Sequence, residues 1–336
     1  MDGQALSGWA SPRRHGATTG AQRRCPRGGG SDRGCRLRRA LGWRCRGCQR
    51  YVERIQRAGA SGVKFYTHVG PDLAAAIIRC AREHGLPTTA HLHSTRPTEA
   101  IDAGIDGLEH TTSAMEELVP RNWVTSDGLQ TPNPRWHRGF ASIDPAGIAA
   151  RAFARLLADR DVYLTATLVA HNQLTRMNDP EVTEASHGQP VPEPVQRFWA
   201  AMAGDMTGQW TPSDYDVARR GFEVALRFTN EMRSAGVKLL VGTDSPVPYL
   251  LPGESLHGEL ELLVRAGMTP MAALVAATGG NAETLRLDDV GTLEPGKLAD
   301  LVVIGSNVMD DIRHSRDVRM VFQGGKQVAG AVDGHA

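Results

Sequence analysis

A chain of 336 residues, 41% hydrophobic and 22% charged, can bury one large core, or one barrel plus a small satellite, and has the composition of an ordinary globular protein. No apolar run reaches 18 residues, which excludes a membrane-spanning helix. The basic N-terminus has no apolar stretch behind it, so it does not read as a secretory leader and a cytoplasmic location is expected. The net charge of +1 conceals an asymmetry: residues 1–50 hold twelve Arg, no Lys and two acids (Asp2 and Asp32), a balance of +10, so the rest of the chain carries −9.

Four of the five cysteines, Cys25, Cys35, Cys45 and Cys48, also fall in that first segment. It has neither a helical period nor strand alternation, so it is expected to be disordered or irregular. Three readings compete. Cys45 and Cys48 have the two-residue gap of a zinc knuckle, but Cys25 and Cys35 have the wrong spacing to complete it. The arginines could neutralise phosphates, yet Trp9 and Trp43 are the sole aromatic platforms, which disfavours nucleic acid as a partner. The favoured reading is that Arg, Gly, Ala, Pro, Cys and Trp without Lys, Ile or Phe is GC-rich coding sequence read out of frame, with normal texture returning near Tyr51.

From there short apolar strands alternate with helical patterns, as in β/α units around a parallel sheet. A strand is predicted over 62–68, a helix over 73–83 stopped by Gly85, a strand over 88–93, a helix ending near Ala103 and Gly104, and a very short strand over 107–111. The rhythm then loosens through Pro120–Pro145, read as a loop excursion over a barrel mouth. Helix 147–159 leads into strand 161–168. A Pro-rich excursion over 170–211 follows, then helix 213–234, strand 237–246 and helices 255–266 and 270–285. Short strands with turns, at 291–304 and 318–326, close the chain.

In a β/α barrel the chemistry gathers where strands finish. Four strands here carry a group able to bind a metal at or near their ends: Lys64, His91, His110 and Asp244. Alternation puts Lys64, Tyr66 and His68 on one face and Val63 and Phe65 on the other. Taken singly, each has a bland reading: a snorkelling lysine, a core histidine, an Asx-turn before Ser245-Pro246. Four at successive strand ends are harder to dismiss, because burying each unpaired would cost on the order of several kcal/mol.

Gly-Val-Lys64-Phe-Tyr, Thr-Ala-His91-Leu-His93, Ala-Gly-Ile-Asp-Gly-Leu-Glu-His110 and Val-Gly-Thr-Asp244-Ser together resemble the amidohydrolase superfamily, in particular its imidazolonepropionase-like and Xaa-Pro dipeptidase-like members. Leu256-His257-Gly258-Glu259-Leu260 and the tail Gly291-Thr-Leu-Glu-Pro-Gly-Lys-Leu-Ala-Asp-Leu-Val-Val303 are similar too, and the likeness covers about 51–328. The resemblance implies an α/β fold: an incomplete TIM-type (β/α) barrel, strands four to eight, over 51–288, with the remnant of a small C-terminal β-sandwich domain over 289–336. It implies a divalent metal, one or two ions, zinc first with manganese or iron also suited to the donors. Its ligands would be Lys64 (carbamylated), His91, His110 and Asp244, and Asp244 would also be the catalytic proton shuttle. Tyr66 and His93 would touch a small-molecule substrate, whose amide or lactam carbonyl a metal-bound hydroxide attacks. His257 reads as structural, His68, His137 and His171 as mouth residues, and Arg121, Trp136, His137 and His171 as grips for a carboxylate or ring.

One departure matters. The superfamily's first-strand His-x-His is absent: His91-Leu92-His93 sits where the fifth strand should, 17 residues before the next strand-end histidine at the close of β/α unit spacing. Strands one to three therefore have no counterpart in these residues, and the chain as written is expected to be unstable, inactive or both. The alternatives are a non-catalytic remnant acting through a partner chain, and nucleic-acid binding through the basic arm. A homo-oligomer is left open.

Overall fold

The computed structural model describes residues 6–10, 47–120, 134–183 and 191–330. The chain divides into two compact units, Met1–Asp106 and Gly107–Ala336.

In the first unit, strand β1 (Leu6–Ala10) pairs antiparallel with β2 (Ala60–Phe65), Leu6 opposite Phe65 and Ser7 opposite Lys64. Between them, residues 47–57 form helix α1, with Cys48 and Val52 buried. The expectation that nothing before residue 51 is regular is thus revised at 6–10 and 47–50. Local pattern was too short there to register, since a five-residue strand is recognisable only through its partner. Cys25, Cys35, Cys45 and Trp43 lie outside the described residues. Helix α2 (Pro71–Glu83) starts at a proline whose missing N–H is no loss in a first turn, carries Asp72 there, and buries Ala74, Ile77, Ile78 and Ala81 at helical spacing. Strand β3 (Thr88–Ala90) runs parallel to β2, with Val63 opposite Thr88 and Phe65 opposite Ala90. Val63, Phe65, Ile77 and Ile78 are all but fully buried, each contributing roughly 1.5–3 kcal/mol. Helix α3 (Pro97–Ala103) opens on a capping box in which the Arg96 N–H donates to Glu99 Oε2 at 2.8 Å, and Gly104 ends it in the left-handed region. The Asp106 carboxylate then accepts both the N–H and the hydroxyl of Thr88, at 2.7 and 2.9 Å, tying the helix exit to the strand.

The second unit contains three parallel strands, β4 (Gly107–Glu109), β5 (Tyr163–Thr165) and β6 (Leu239–Leu240), in that order. With β2 and β3 they make five parallel strands in an α/β fold, the number expected from the sequence. Gly107 lies opposite Tyr163, and a Cβ there would overlap the tyrosine ring. Helix α4 (Thr111–Met115) continues from β4, and a single 3-10 turn (Glu116–Leu118) follows it.

Among the described residues both predicted excursions contain helices. Helix α5 (Pro134–Ala141) occupies the end of the first, and α6 (Ile148–Asp159) follows as expected. The second contains α7 (Leu168–Leu174), α8 (Pro180–Thr183) and α9 (Glu193–Thr207). Helix α9 buries Trp199, Ala203 and Thr207 four residues apart, a period that the prolines at its start obscure. Helix α10 (Pro212–Ser234) is capped by Thr211, whose hydroxyl accepts the Asp214 N–H while Asp214 Oδ2 accepts the Thr211 N–H. Its stripe of Tyr215, Ala218, Phe222, Ala225, Thr229 and Met232 faces α5, α6 and α4. Helices α11 (Glu254–Arg265), α12 (Pro270–Val275) and α13 (Asn281–Thr284) follow, the last two joined by a π-turn at 276–280. The tail is one three-stranded antiparallel sheet, β7 (Leu301–Ile304), β8 (Val318–Gln323) and β9 (Lys326–Ala329), shorter at its start than the predicted strand from 291.

Candidate metal centre

The parallel strands are shorter than the apolar runs predicted for them: Lys64 lies within β2, His91 and His110 one residue past β3 and β4, and Asp244 four residues past β6. In the first unit Lys64 is half-buried within β2, opposite Thr89. His91 stands one residue past β3, its N–H still donating to the Phe65 carbonyl at 3.2 Å. The Tyr66 ring meets the His91 ring edge-on, centroids 4.7 Å apart. His93 is half-buried and His68 is exposed. Lys64, Tyr66 and His91 are thus gathered at one end of the β2–β3 pair.

In the second unit His110, Thr167 and Asp244 follow β4, β5 and β6, and all three have positive φ: 68°, 47° and 53°. Non-glycine residues rarely adopt that region, and a β-branched threonine least of all, at a cost of order 1–3 kcal/mol each. Three such residues in a row at strand ends mark a constrained site. Backbone bonds hold the turns: the His110 N–H donates to the Thr165 carbonyl at 2.9 Å, and the Val247 N–H to the Asp244 carbonyl at 3.1 Å. Strand β6 stops at Leu240 because Asn281 takes over the ladder, accepting from the Val241 N–H at 3.1 Å and donating to its carbonyl at 2.9 Å.

His110 is buried, and its Nδ1 lies 2.8 Å from Thr167 Oγ1. Its Nε2 stands 4.0 Å from Asp244 Oδ2, the aspartate side chain being partly open to solvent. That separation is too long for a hydrogen bond, and wide for two donors each about 2.0–2.2 Å from one tetrahedral ion. The two groups therefore stand as candidate ligands that would have to draw together to share one ion. Among the described residues no three His, Cys, Asp or Glu side chains converge as a ligand set.

Glu259 belongs to the Leu256–Leu260 motif. Its carboxylate is fully buried and accepts the backbone N–H of Leu168 at 3.0 Å and of Val169 at 2.6 Å, with Thr167 N–H a further donor. Burial pushes the carboxyl up to about 8, against the pull of those three donors. The signal was available: Glu259 shares the apolar face of α11 with Ser255, Leu262 and Leu263. Gly258 beside it lets α11 approach Val169 of α7, where a Cβ would come within 3.2 Å.

His137 and His171 are not mouth residues. Both are buried, with ring centroids 5.4 Å apart, inside a cluster with Phe140, Trp210 and Phe222. Burial, and then the charge of His171, holds the His137 imidazole far below its usual range, and burial takes His171 down to about 3, so both are neutral near pH 7. Trp136 donates from its indole N–H to the buried Glu116 at 2.9 Å, so it braces the wall rather than gripping a ligand. His257 pairs with Ser315 Oγ at 2.9 Å, joining α11 to the 3-10 turn Ile312–Arg316, as a structural role requires. Arg121 lies outside the described residues.

Parallel strands with His, Lys and Asp at or beyond their ends, interleaved with helices, define an α/β protein. The model of the amidohydrolase family matches residues 52–328, and the chain belongs to that family. It is 45% identical over 76 residues to an imidazolonepropionase of Pyrobaculum arsenaticum, a stretch that is 22% of this chain and 18% of that protein. Among solved structures it is similar to a bottromycin amidohydrolase (TM-score 0.64, 23% identity) and to a Xaa-Pro dipeptidase with methionine bound in its active site (TM-score 0.56, 20% identity). Each of these likenesses covers 85% of this chain and 59% of the other, so the chain spans less than two thirds of its relatives' length. Among the described residues no helix is long and apolar enough to cross a membrane.

Proposed function

We propose that these residues form the rear portion of a metal-dependent amidohydrolase site that cleaves a C–N bond, amide or lactam, in a small non-peptide or dipeptide-like substrate. The observation that carries the reading is the His110–Asp244 pair, 4.0 Å apart at the ends of β4 and β6 with both backbones at positive φ. Within the second unit His110 and Asp244 are the proposed metal ligands; Lys64 (as its carbamate) and His91, in the first unit, are proposed as ligands from the sequence resemblance alone. When bound, the metal would polarise the carbonyl and lower the pKa of an attacking water. Asp244, whose side chain is partly open to solvent, would be the group that takes a proton from the attacking water and returns it to the leaving nitrogen. Tyr66, 46% exposed and packed on His91, offers a ring and a hydroxyl to substrate, with His93 beside it. Asp244 also needs further donors that these residues do not include, since the sole His-x-His in the chain is His91-Leu92-His93. Turnover by these residues alone is accordingly proposed to be impaired.

The test is metal content and hydrolysis together. Purified chain, loaded with zinc or manganese in bicarbonate, is expected to retain about one ion and to lose it on Lys64→Ala or His110→Ala. Its hydrolysis of imidazolonepropionate and Xaa-Pro dipeptides is expected to be slow. Retention of no metal by the parent chain, or equal retention by both variants, would overturn the reading.

A further inference from the structure

We propose that Glu259 and Thr167 form a positioning unit for His110, an inference that rests on the metal-site reading above. Three contacts connect them. Glu259, fully buried on α11, gathers the N–H groups of Thr167, Leu168 and Val169, which are the donors a helix start leaves unsatisfied. Gathering them turns the backbone sharply at Thr167, which stands at φ 47° and ψ 40°, a conformation that a β-branched residue does not adopt unaided. In that conformation the Thr167 hydroxyl reaches His110 Nδ1 at 2.8 Å.

The consequence for His110 follows from imidazole chemistry. A neutral ring carries one N–H and one lone pair. In the proposed arrangement Nδ1–H donates to Thr167 Oγ1, which leaves the lone pair at Nε2, the nitrogen 4.0 Å from Asp244. That is the tautomer a ligand needs. Without the hydroxyl the ring loses the partner that holds the proton on Nδ1, and its orientation loosens. Thr167 and Glu259 are separated by 92 positions in the chain, and His110 by 57 from Thr167, so the unit exists only in the folded protein. A carboxylate acting solely as a helix cap would stabilise α7 and leave the His110 tautomer alone. The two roles therefore part company in measurement.

The experiment uses the full chain, uniformly labelled with nitrogen-15 in histidine, as parent, Thr167→Val, Thr167→Ser and Glu259→Gln. Valine keeps the shape and branching of threonine and removes the hydroxyl; serine restores it. Three readouts are taken: the His110 tautomer from ring nitrogen shifts without metal, zinc affinity by competition with a chelator, and the thermal midpoint. Parent and Thr167→Ser are expected to hold the proton on Nδ1. Thr167→Val is expected to shift it toward Nε2 and to weaken zinc binding by about 10–100-fold with little change in midpoint. Glu259→Gln presents an amide N–H to backbone donors and is expected to give the same tautomer shift with a lowered midpoint; should it fail to fold, the Thr167 pair decides. A tautomer indifferent to Thr167→Val overturns the proposal, even if zinc binds the parent. A tautomer that responds while the parent binds no zinc keeps the positioning unit and removes the metal reading.

Discussion

Asn281 grips both backbone groups of Val241, accepting its N–H at 3.1 Å and donating to its carbonyl at 2.9 Å. An amide side chain thus stands in for a neighbouring strand over the last stretch before Asp244. Asn281→Leu leaves both groups without that partner, at about 1–3 kcal/mol. Urea unfolding is expected to show that loss, and an unchanged midpoint would mean that water replaces the clip.

His137 and His171 set an acid limit on stability. Burial holds the His171 pKa at about 3 against 6.5 in the unfolded chain, so the folded state binds fewer protons between those values. The contribution is complete above pH 6.5 and is lost as pH falls toward 3, in total roughly 5 kcal/mol. His137 is depressed in the same direction. His171→Phe is expected to flatten the decline in thermal midpoint between pH 6.5 and 4. A decline of the same steepness in the variant would place the acid sensitivity elsewhere.

Glu259 works in the opposite sense. Its folded pKa of about 8 lies above the ordinary 4.5, so its contribution is complete below pH 4.5 and is lost as pH rises through 8. Stability measured between pH 5 and 9 is expected to fall with pH in the parent and to fall less in Glu259→Gln, although that variant starts lower. Parallel curves would show that the three backbone donors, not burial, dominate this carboxyl.

Gly107 meets the Tyr163 ring where any Cβ would overlap it. Gly107→Ala is expected to destabilise the chain by about 1–3 kcal/mol through overpacking, and Tyr163→Leu in the same chain to recover part of that. Additive losses in the double variant would argue against the steric cause.

Asp244→Asn removes the proposed proton shuttle while keeping size and shape. Because the side chain is partly open, stability is expected to hold within about 0.5 kcal/mol of the parent. Any turnover of the loaded chain is expected to drop about 10²–10⁴-fold. Full turnover in the variant would assign the proton transfer to another group.

Much of the α/β rhythm could be read locally. The starts at Pro71 and Pro97, the stops at Gly85 and Gly104, and the buried alternation of Val63 and Phe65 each depend on residues a few positions apart. That Lys64, His91 and His110 lie in or just past short strands was legible for the same reason, since each interrupts an apolar run. The helices of 168–207 were not, because prolines masked their period. What only the tertiary structure decided is which distant groups meet. It set His171 against His137 inside an aromatic cluster instead of at a mouth, brought Asn281 onto Val241, and turned Glu259 from a motif letter into the carboxylate that shapes the turn at Thr167. Hydrogen bonds between residues 40 to 92 positions apart leave no periodic trace in a sequence. They are selected by burial, where an unmatched polar group is too costly to tolerate, and burial is a property of the folded chain.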